Sequence, residues 1–246
     1  MARRTRRCAD GPTVTGIDVS SWQGRVDWQK IAASGVKYVF IRAFEGRHED
    51  QEFRRNWAGA KAAGLLRGAY TYFRARHSGE MQARLMLEAL RGDPGELPPV
   101  LDLERFDEQT AEKTIAEVRA WVRTMKAGLG RDPMIYAGSF WHFSIAPHVG
   151  NEFSHLALWT PHYTDDPCPG VPNGWTRWTF WQKTDRGLLP GIRGNVDMND
   201  FNGDEAALQR FAGRGRWRWL VGAVLGAAVI GGAWWWLRRH RRGGKG

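Results

Sequence analysis

Eight short apolar runs between residues 14 and 198 restrict what this chain can fold into more than any other feature. They are 14–19 (VTGIDV), 38–44 (YVFIRAF), 67–73 (RGAYTYF), 99–104 (PVLDLE), 133–137 (PMIYA), 155–160 (HLALWT), 178–182 (WTFWQ) and 195–198 (NVDM). Their length and their β-branched and aromatic content predict strands. The stretches DWQKIAAS, QEFRRNWAGAKAAG, SGEMQARLMLEALR and TAEKTIAEVRAWVRTMKAG between them carry helical spacing, with Gly35, Gly64, Gly92 and Gly128 near their ends as stop signals. Strands alternating with helices predict an α/β fold with a parallel sheet. Past Ser139 the helical stretches shorten or vanish, so eight strands closing on themselves would make a barrel without a full outer ring.

The charge of the chain lies at its ends. The 36 basic and 26 acidic residues give +10, yet residues 8–213 hold 24 basic against 26 acidic ones. The part expected to fold therefore lacks the basic surface that nucleic-acid binding requires, and no nucleic-acid partner is expected. From Trp219 to Leu237 nineteen residues run without a charge. As a helix they would span roughly 28 Å, about the thickness of a bilayer's hydrocarbon core. Trp217, Trp219 and Trp234–Trp236 stand at the two ends like interfacial belts, and arginines flank both sides. The domain organisation expected is a basic extension over 1–13, one barrel domain over 14–213, a basic connector over 214–218, a transmembrane helix over 219–237 and a basic tail over 238–246. A lipid bilayer is then a partner, and Gly222 and Gly226 form a small-residue pair suited to weak self-association of the helix. Five basic residues after the helix against three before it place the tail in the cytoplasm and the large domain on the far side. No apolar run of signal-peptide type follows the basic start MARRTRRCADGPT, so the sequence names no export route.

Cys8 and Cys168 are the only cysteines; they allow one disulfide in an oxidising compartment or two separate thiols. Neither they nor the seven histidines show metal-ligand spacing, and no metal or cofactor is expected.

In barrels of this kind the chemistry gathers at the carboxyl ends of the strands. Acids lie there: Asp18 in the first run, Asp102 and Glu104 in the fourth, Asp197 in the eighth. Side chains alternate along a strand, so Asp102 and Glu104 share a face, about 6.6 Å apart along the backbone. Two acids in an otherwise apolar strand are costly unless arginines such as Arg42 or Arg74 satisfy them or a reaction uses them. Two carboxyls in unlike environments are what cleavage of a glycosidic bond requires, one protonated as general acid and the other ionised. Tyr70, Tyr72, Phe73, Tyr136, Trp159, Tyr163, Trp178 and Trp181 fall at or just after the expected strands, where flat rings could stack on sugars.

The ordered blocks GIDVSSWQGRVDW, VFIRAFEG, GAYTYF, PVLDLE, MIYAG, LWTPHYT, WTFWQ and GIRGNVDMNDFNG, across residues 16–203, resemble the glycoside hydrolase family 25 lysozymes. The resemblance implies an irregular, flattened (β/α) barrel of eight strands with an incomplete helical layer. It also implies hydrolysis of the β-1,4 bond between N-acetylmuramic acid and N-acetylglucosamine in peptidoglycan. Glu104 then matches the general acid/base. Asp102 matches its partner, which helps the substrate's acetamido group form a cyclic intermediate or attacks directly. Asp18 and Asp197 match the other two acids of the cleft. Tyr70, Tyr136 and Trp159 match sugar contacts, and Gln182 follows the usual WQ of the seventh strand. Thr71 and Lys183 depart from the family's pattern, where His and an aromatic or His are frequent. The complete acid set favours an active muramidase over a relative that only binds peptidoglycan. A lysis protein whose basic, Trp-rich tail disturbs bilayers is compatible with the same enzyme.

Overall fold

The computed structural model describes residues 3–213. The expected connector 214–218, membrane helix 219–237 with Gly222 and Gly226, and tail 238–246 lie outside them. Among the described residues no helix is long and apolar enough to cross a membrane.

In chain order the strands are β1 (Thr5–Arg6), β2 (Thr13–Val19), β3 (Tyr38–Glu45), β4 (His48–Glu49), β5 (Leu66–Tyr72), β6 (Val100–Asp102), β7 (Met134–Tyr136), β8 (Ala157–Pro161), β9 (Gly170–Val171), β10 (Phe180–Gly187) and β11 (Val196–Asn202). The helices are α1 (Trp28–Ala33), α2 (Phe53–Ala62), α3 (Gly79–Ala89), α4 (Ala111–Leu129), α5 (Ala146–Val149) and α6 (Glu205–Phe211). A π-helical turn, Trp141–Ile145, leads into α5.

Eight strands run in the order β2-β11-β10-β8-β7-β6-β5-β3, and β2 also pairs with β3, so the sheet closes into the expected eight-strand barrel. The sheet is not wholly parallel: β11 runs antiparallel to both β10 and β2. The connection from β10 to β11, residues 188–195, is too short for the crossover that a parallel pair needs, so the chain turns straight back as a hairpin.

Side-chain alternation divides the apolar residues into two cores. Val14, Phe40, Val100, Met134, Phe180 and Phe201 fill the barrel, and α6 closes its lower end through Leu208 and Phe211. Ile17, Val39, Ile41, Leu101 and Ile135 face outward against the helices. Interior space is rationed by glycine: a Cβ on Gly16 would fall 2.3 Å from the Tyr38 ring, so only glycine leaves room for that tyrosine.

The helical layer thins as expected, from α4 with nineteen residues to α5 with four. In α4 the buried residues Thr114, Ile115, Val118, Trp121 and Met125 recur at helical spacing, and the Thr110 side chain caps the start by accepting from the Lys113 N–H. Gly128 does not end α4. The helix runs through it to Leu129 and stops at Gly130, in the left-handed conformation with φ 66°. Gly128 serves packing instead, since a Cβ there would meet Leu87 of α3 at 2.5 Å.

The first residues are fastened to the barrel. β1 pairs antiparallel with β9, the Arg7 N–H donates to Pro169 O, and Trp178 Nε1 donates to Arg7 O at 2.8 Å. A disulfide joins Cys8 to Cys168 across 160 residues of chain.

Candidate active site

The inward-facing residues at the carboxyl end of the barrel form its top layer, and that layer is polar. Asp18 stands one residue before the end of β2, Tyr70 and Tyr72 close β5, Asp102 ends β6, Tyr136 ends β7, Trp159 lies in β8, Gln182 in β10 and Asp197 in β11. All of them, with Glu104 and Tyr163, line one cleft of about 260 Å³, so the structure brings together the four acids, Gln182 and five of the eight aromatic candidates. Three of the aromatic candidates lie elsewhere. Phe73, Trp178 and Trp181 pack in the outer core: alternation sends Phe73 to the opposite face from Tyr72 and Trp181 to the opposite face from Gln182, while Trp178 precedes β10 and donates its Nε1 to Arg7 O.

Strand β6 is shorter than expected, ending at Asp102 rather than Glu104, because β5 and β7 pair with only three of its residues. Glu104 stands two residues beyond, where the chain turns. Asp107 and Glu108 adopt positive φ values of 48° and 65°, and Arg74 holds that turn through Asp107 at 2.8 Å and Glu45 at 2.6 Å. Arg42 is also committed, donating to Asp50 Oδ2 at 2.8 Å and to Ser21 Oγ at 3.0 Å. Neither arginine neutralises the acid pair, and among the described residues no ion pair reaches Asp102 or Glu104.

The acids fall into two pairs in different surroundings. Asp18 and Asp197 face each other across β2 and β11. Asp18 is buried; that burial, followed by the charge of Asp197, pushes its pKa well above the usual carboxylate range, while hydrogen bonds from Asn199 and Gln182 pull it back. Asp197 is half-buried and raised by desolvation, although its hydrogen bond with Asp18 opposes that rise. The opposite signs of their mutual hydrogen bond fit one proton shared by the pair. Asp102 is buried and pushed well above the usual range by burial and by the charges of Glu104 and Asp18, with Arg42 in opposition. Its Oδ1 is buried and, among the described residues, accepts no hydrogen bond. Glu104 opens to solvent at the cleft mouth, but the walls crowd it. That desolvation raises its pKa against the pull of Arg105, and Asp197 adds to the rise.

A hydrogen-bond chain fixes the cleft floor. Tyr136 and Tyr163 hydroxyls donate to Gln182 Oε1 at 2.8 and 2.9 Å, and Gln182 Nε2 donates to Asp18 at 3.0 Å and to Asp197 at 3.3 Å. Trp159 Nε1 donates to Asn199 Oδ1 at 2.7 Å, and Asn199 Nδ2 donates to Asp18 Oδ2 at 2.7 Å. Asn199 escaped the sequence reading, although it lies two residues after Asp197 on the same face of β11. Trp22 escaped it too. This indole stands 85% exposed on the cleft rim, carried by a short 3-10 turn, Ser21–Gln23, that Ser20 and Gln23 brace reciprocally. Its signal was an aromatic just beyond the end of the first expected strand.

A family model for glycosyl hydrolases family 25 matches residues 17–192, a span containing Asp18, Asp102 and Glu104. The chain is 39% identical over 206 residues to the uncharacterized protein YegX of Escherichia coli (strain K12), covering 81% of this chain and 73% of that protein. It is 34% identical over 220 residues to lysozyme M1 of Streptomyces globisporus, covering 85% of this chain and 74% of that one. Among solved structures, the bacterial lysozyme from Streptomyces coelicolor matches with a TM-score of 0.74 at 31% identity, covering 82% of this chain and 98% of that one. By sequence span and by barrel, the chain belongs to glycosyl hydrolases family 25.

Proposed function

We infer that the chain is a peptidoglycan hydrolase, an N-acetylmuramidase that cleaves the β-1,4 bond from N-acetylmuramic acid to N-acetylglucosamine. The observation that carries this reading is the Asp102–Glu104 pair, two carboxyls in one cleft, in no ion pair among the described residues and unequal in burial. Glu104, reachable from the cleft mouth and with its acid form favoured by desolvation, donates its proton to the bridging oxygen as the bond to the muramic acid carbon breaks. Asp102 lies deeper, and its bare Oδ1 is an acceptor that the protein leaves unsatisfied. An acetamido N–H of the substrate would satisfy it, and the hydrogen bond makes the acetamido oxygen a better nucleophile toward the same carbon. Water then gives its hydroxyl to that carbon and returns a proton to Glu104. Asp18 and Asp197 hold one proton between them and set the negative potential that favours a cationic sugar. Tyr70, Tyr72, Tyr136, Trp159, Tyr163 and Gln182 line the sugar path, and likeness to lysozyme M1 supports the substrate class.

Digestion of purified peptidoglycan tests the reading through the sugar at each new reducing end. Mass spectrometry is expected to find muramic acid there. Glucosamine ends, or no new ends, would overturn it.

We also propose that the uncharged run 219–237 holds the enzyme at a membrane with the barrel on the cell-wall side. The support lies in the flanking tryptophans and arginines of the sequence and in the Cys8–Cys168 disulfide, which suits an oxidising compartment. The full chain is expected to float with liposomes and to resist a high-salt wash, whereas residues 1–213 stay in the soluble fraction. A full chain that salt releases would reduce the attachment to the surface charge of the tail.

A further inference from the structure

Beside the acid cleft lies a second concavity of about 420 Å³, and Glu104, Tyr136 and Tyr163 form the wall between the two. Leu103, Phe140 and Pro161 give the second one apolar sides, and its cation is Arg4. Arg4 is half-buried and donates through Nη1 to Pro161 O at 2.8 Å. Among the described residues no carboxylate pairs with it, whereas Arg6, two residues on, pairs with Asp166. Burial lowers the Arg4 pKa, and the influence that opposes this comes from the Tyr136 phenol rather than from an acid.

The placement of Arg4 is built rather than incidental. It directly precedes β1, which is tied down by β9 and by the disulfide. Gly170, paired with Arg6, lies close by, and a Cβ there would fall 2.9 Å from the Arg4 Cβ. Nearby, His162 Nδ1 accepts from the Gly170 N–H at 2.8 Å, which leaves the ring proton on Nε2 as a further donor. Burial and the Arg4 charge lower the His162 pKa and favour its neutral form.

We propose that this concavity receives the peptide stem carried by a muramic acid of the substrate, with Arg4 binding one of the stem's carboxylates. The proposal rests on the muramidase reading. A glycan whose scissile oxygen meets Glu104 leaves the acid cleft over the wall shared with this concavity. In an unsubstituted strand the anionic groups are the stem carboxylates, since the lactyl carboxyl is consumed in the amide bond to the peptide. A desolvated arginine without an acid partner gains a charge-assisted hydrogen bond from such a group, and the apolar walls suit the methyl groups of stem alanines.

The test compares glycan strands bearing native stems with strands whose stem carboxylates have been converted to amides by carbodiimide and ammonia. Arg4→Ala is expected to raise KM about tenfold on native stems, with kcat held, while the loss nearly disappears on amidated stems. Wild-type enzyme should itself show the higher KM on amidated stems, and Arg4→Lys should recover part of the loss on native ones. Should Arg4→Ala melt early, Arg4→Gln keeps a donor for Pro161 O and carries the same comparison. An equal loss on both substrates, or no loss on either, would overturn the stem assignment and leave the muramidase reading standing. Failure of wild-type enzyme to cleave either substrate would overturn both.

Discussion

Glu104→Gln is expected to lower kcat on peptidoglycan about a thousandfold while leaving KM nearly unchanged, the size of effect that loss of a general acid commands. The amide has the shape of the acid and lies at the open mouth of the cleft, so neither the fold nor sugar binding should suffer. What disappears is the proton. In the wild-type enzyme the same proton sets the basic limb of the pH–rate profile. Glu104 is raised by desolvation and by the charge of Asp197, against Arg105, so activity should persist above the ordinary glutamate range and fall as pH rises through the shifted value. The variant's residual rate should lack that limb. Steady-state kinetics on soluble glycan fragments across pH measures both. Turnover within about tenfold of wild type would move the acid role elsewhere, first to Asp197, the other half-buried carboxyl of the cleft.

Most of the barrel is legible in the sequence because strand and helix periods differ and each expected strand carries its own apolar run. What the pattern hides is direction. The runs 178–182 and 195–198 look like their predecessors, and the twelve residues between them are enough for a crossover; the gap shrinks to eight only because β10 extends to Gly187. The acids are legible for a similar reason, since alternation alone puts Asp102 and Glu104 on one face. Applied to the aromatics, the same rule separates Tyr70 and Tyr72 from Phe73, and Gln182 from Trp181, so proximity to a strand end is a weaker guide than parity along it. Asn199 shares parity with Asp197 and could be found this way. The Cys8–Cys168 bond could not, because 160 residues of folded chain decide whether two thiols meet. Nor could the vacancy at Asp102, which depends on Arg42 and Arg74 being taken up by Asp50, Glu45 and Asp107, three acids with no visible link to the site.

Removing that disulfide with a Cys8→Ser, Cys168→Ser double variant is expected to cost about 3–5 kcal/mol of stability, because opening a loop this long returns a large conformational entropy to the unfolded chain. For a domain of this size that corresponds to a fall in Tm of roughly 10 °C. The acid cleft makes the loss more consequential. Asp18 and Asp102 have folded-state pKa values well above those of the unfolded chain, so between the two the folded state holds protons that the unfolded state has released. The contribution of these two groups is therefore greatest below the unfolded aspartate pKa of about 3.9 and declines as pH rises above it, while Asp93, lowered to about 2 by Arg67, contributes in the opposite sense. As pH rises the barrel bears more of the cost of Asp18 and Asp102, and the covalent tie between its first residues and the β8–β10 region offsets part of it. The hydrogen bonds that position the acids lie between β2, β7, β10 and β11 and the Tyr163 loop, not in residues 3–8. The double variant should therefore keep its kcat at temperatures where it stays folded. Calorimetric melts at pH 4 and pH 7, paired with initial rates, separate the two effects. A Tm change below about 2 °C would mean that the N-terminal strand unfolds apart from the barrel, and a lost kcat in folded protein would mean that the strand shapes the acid cleft as well as its neighbour.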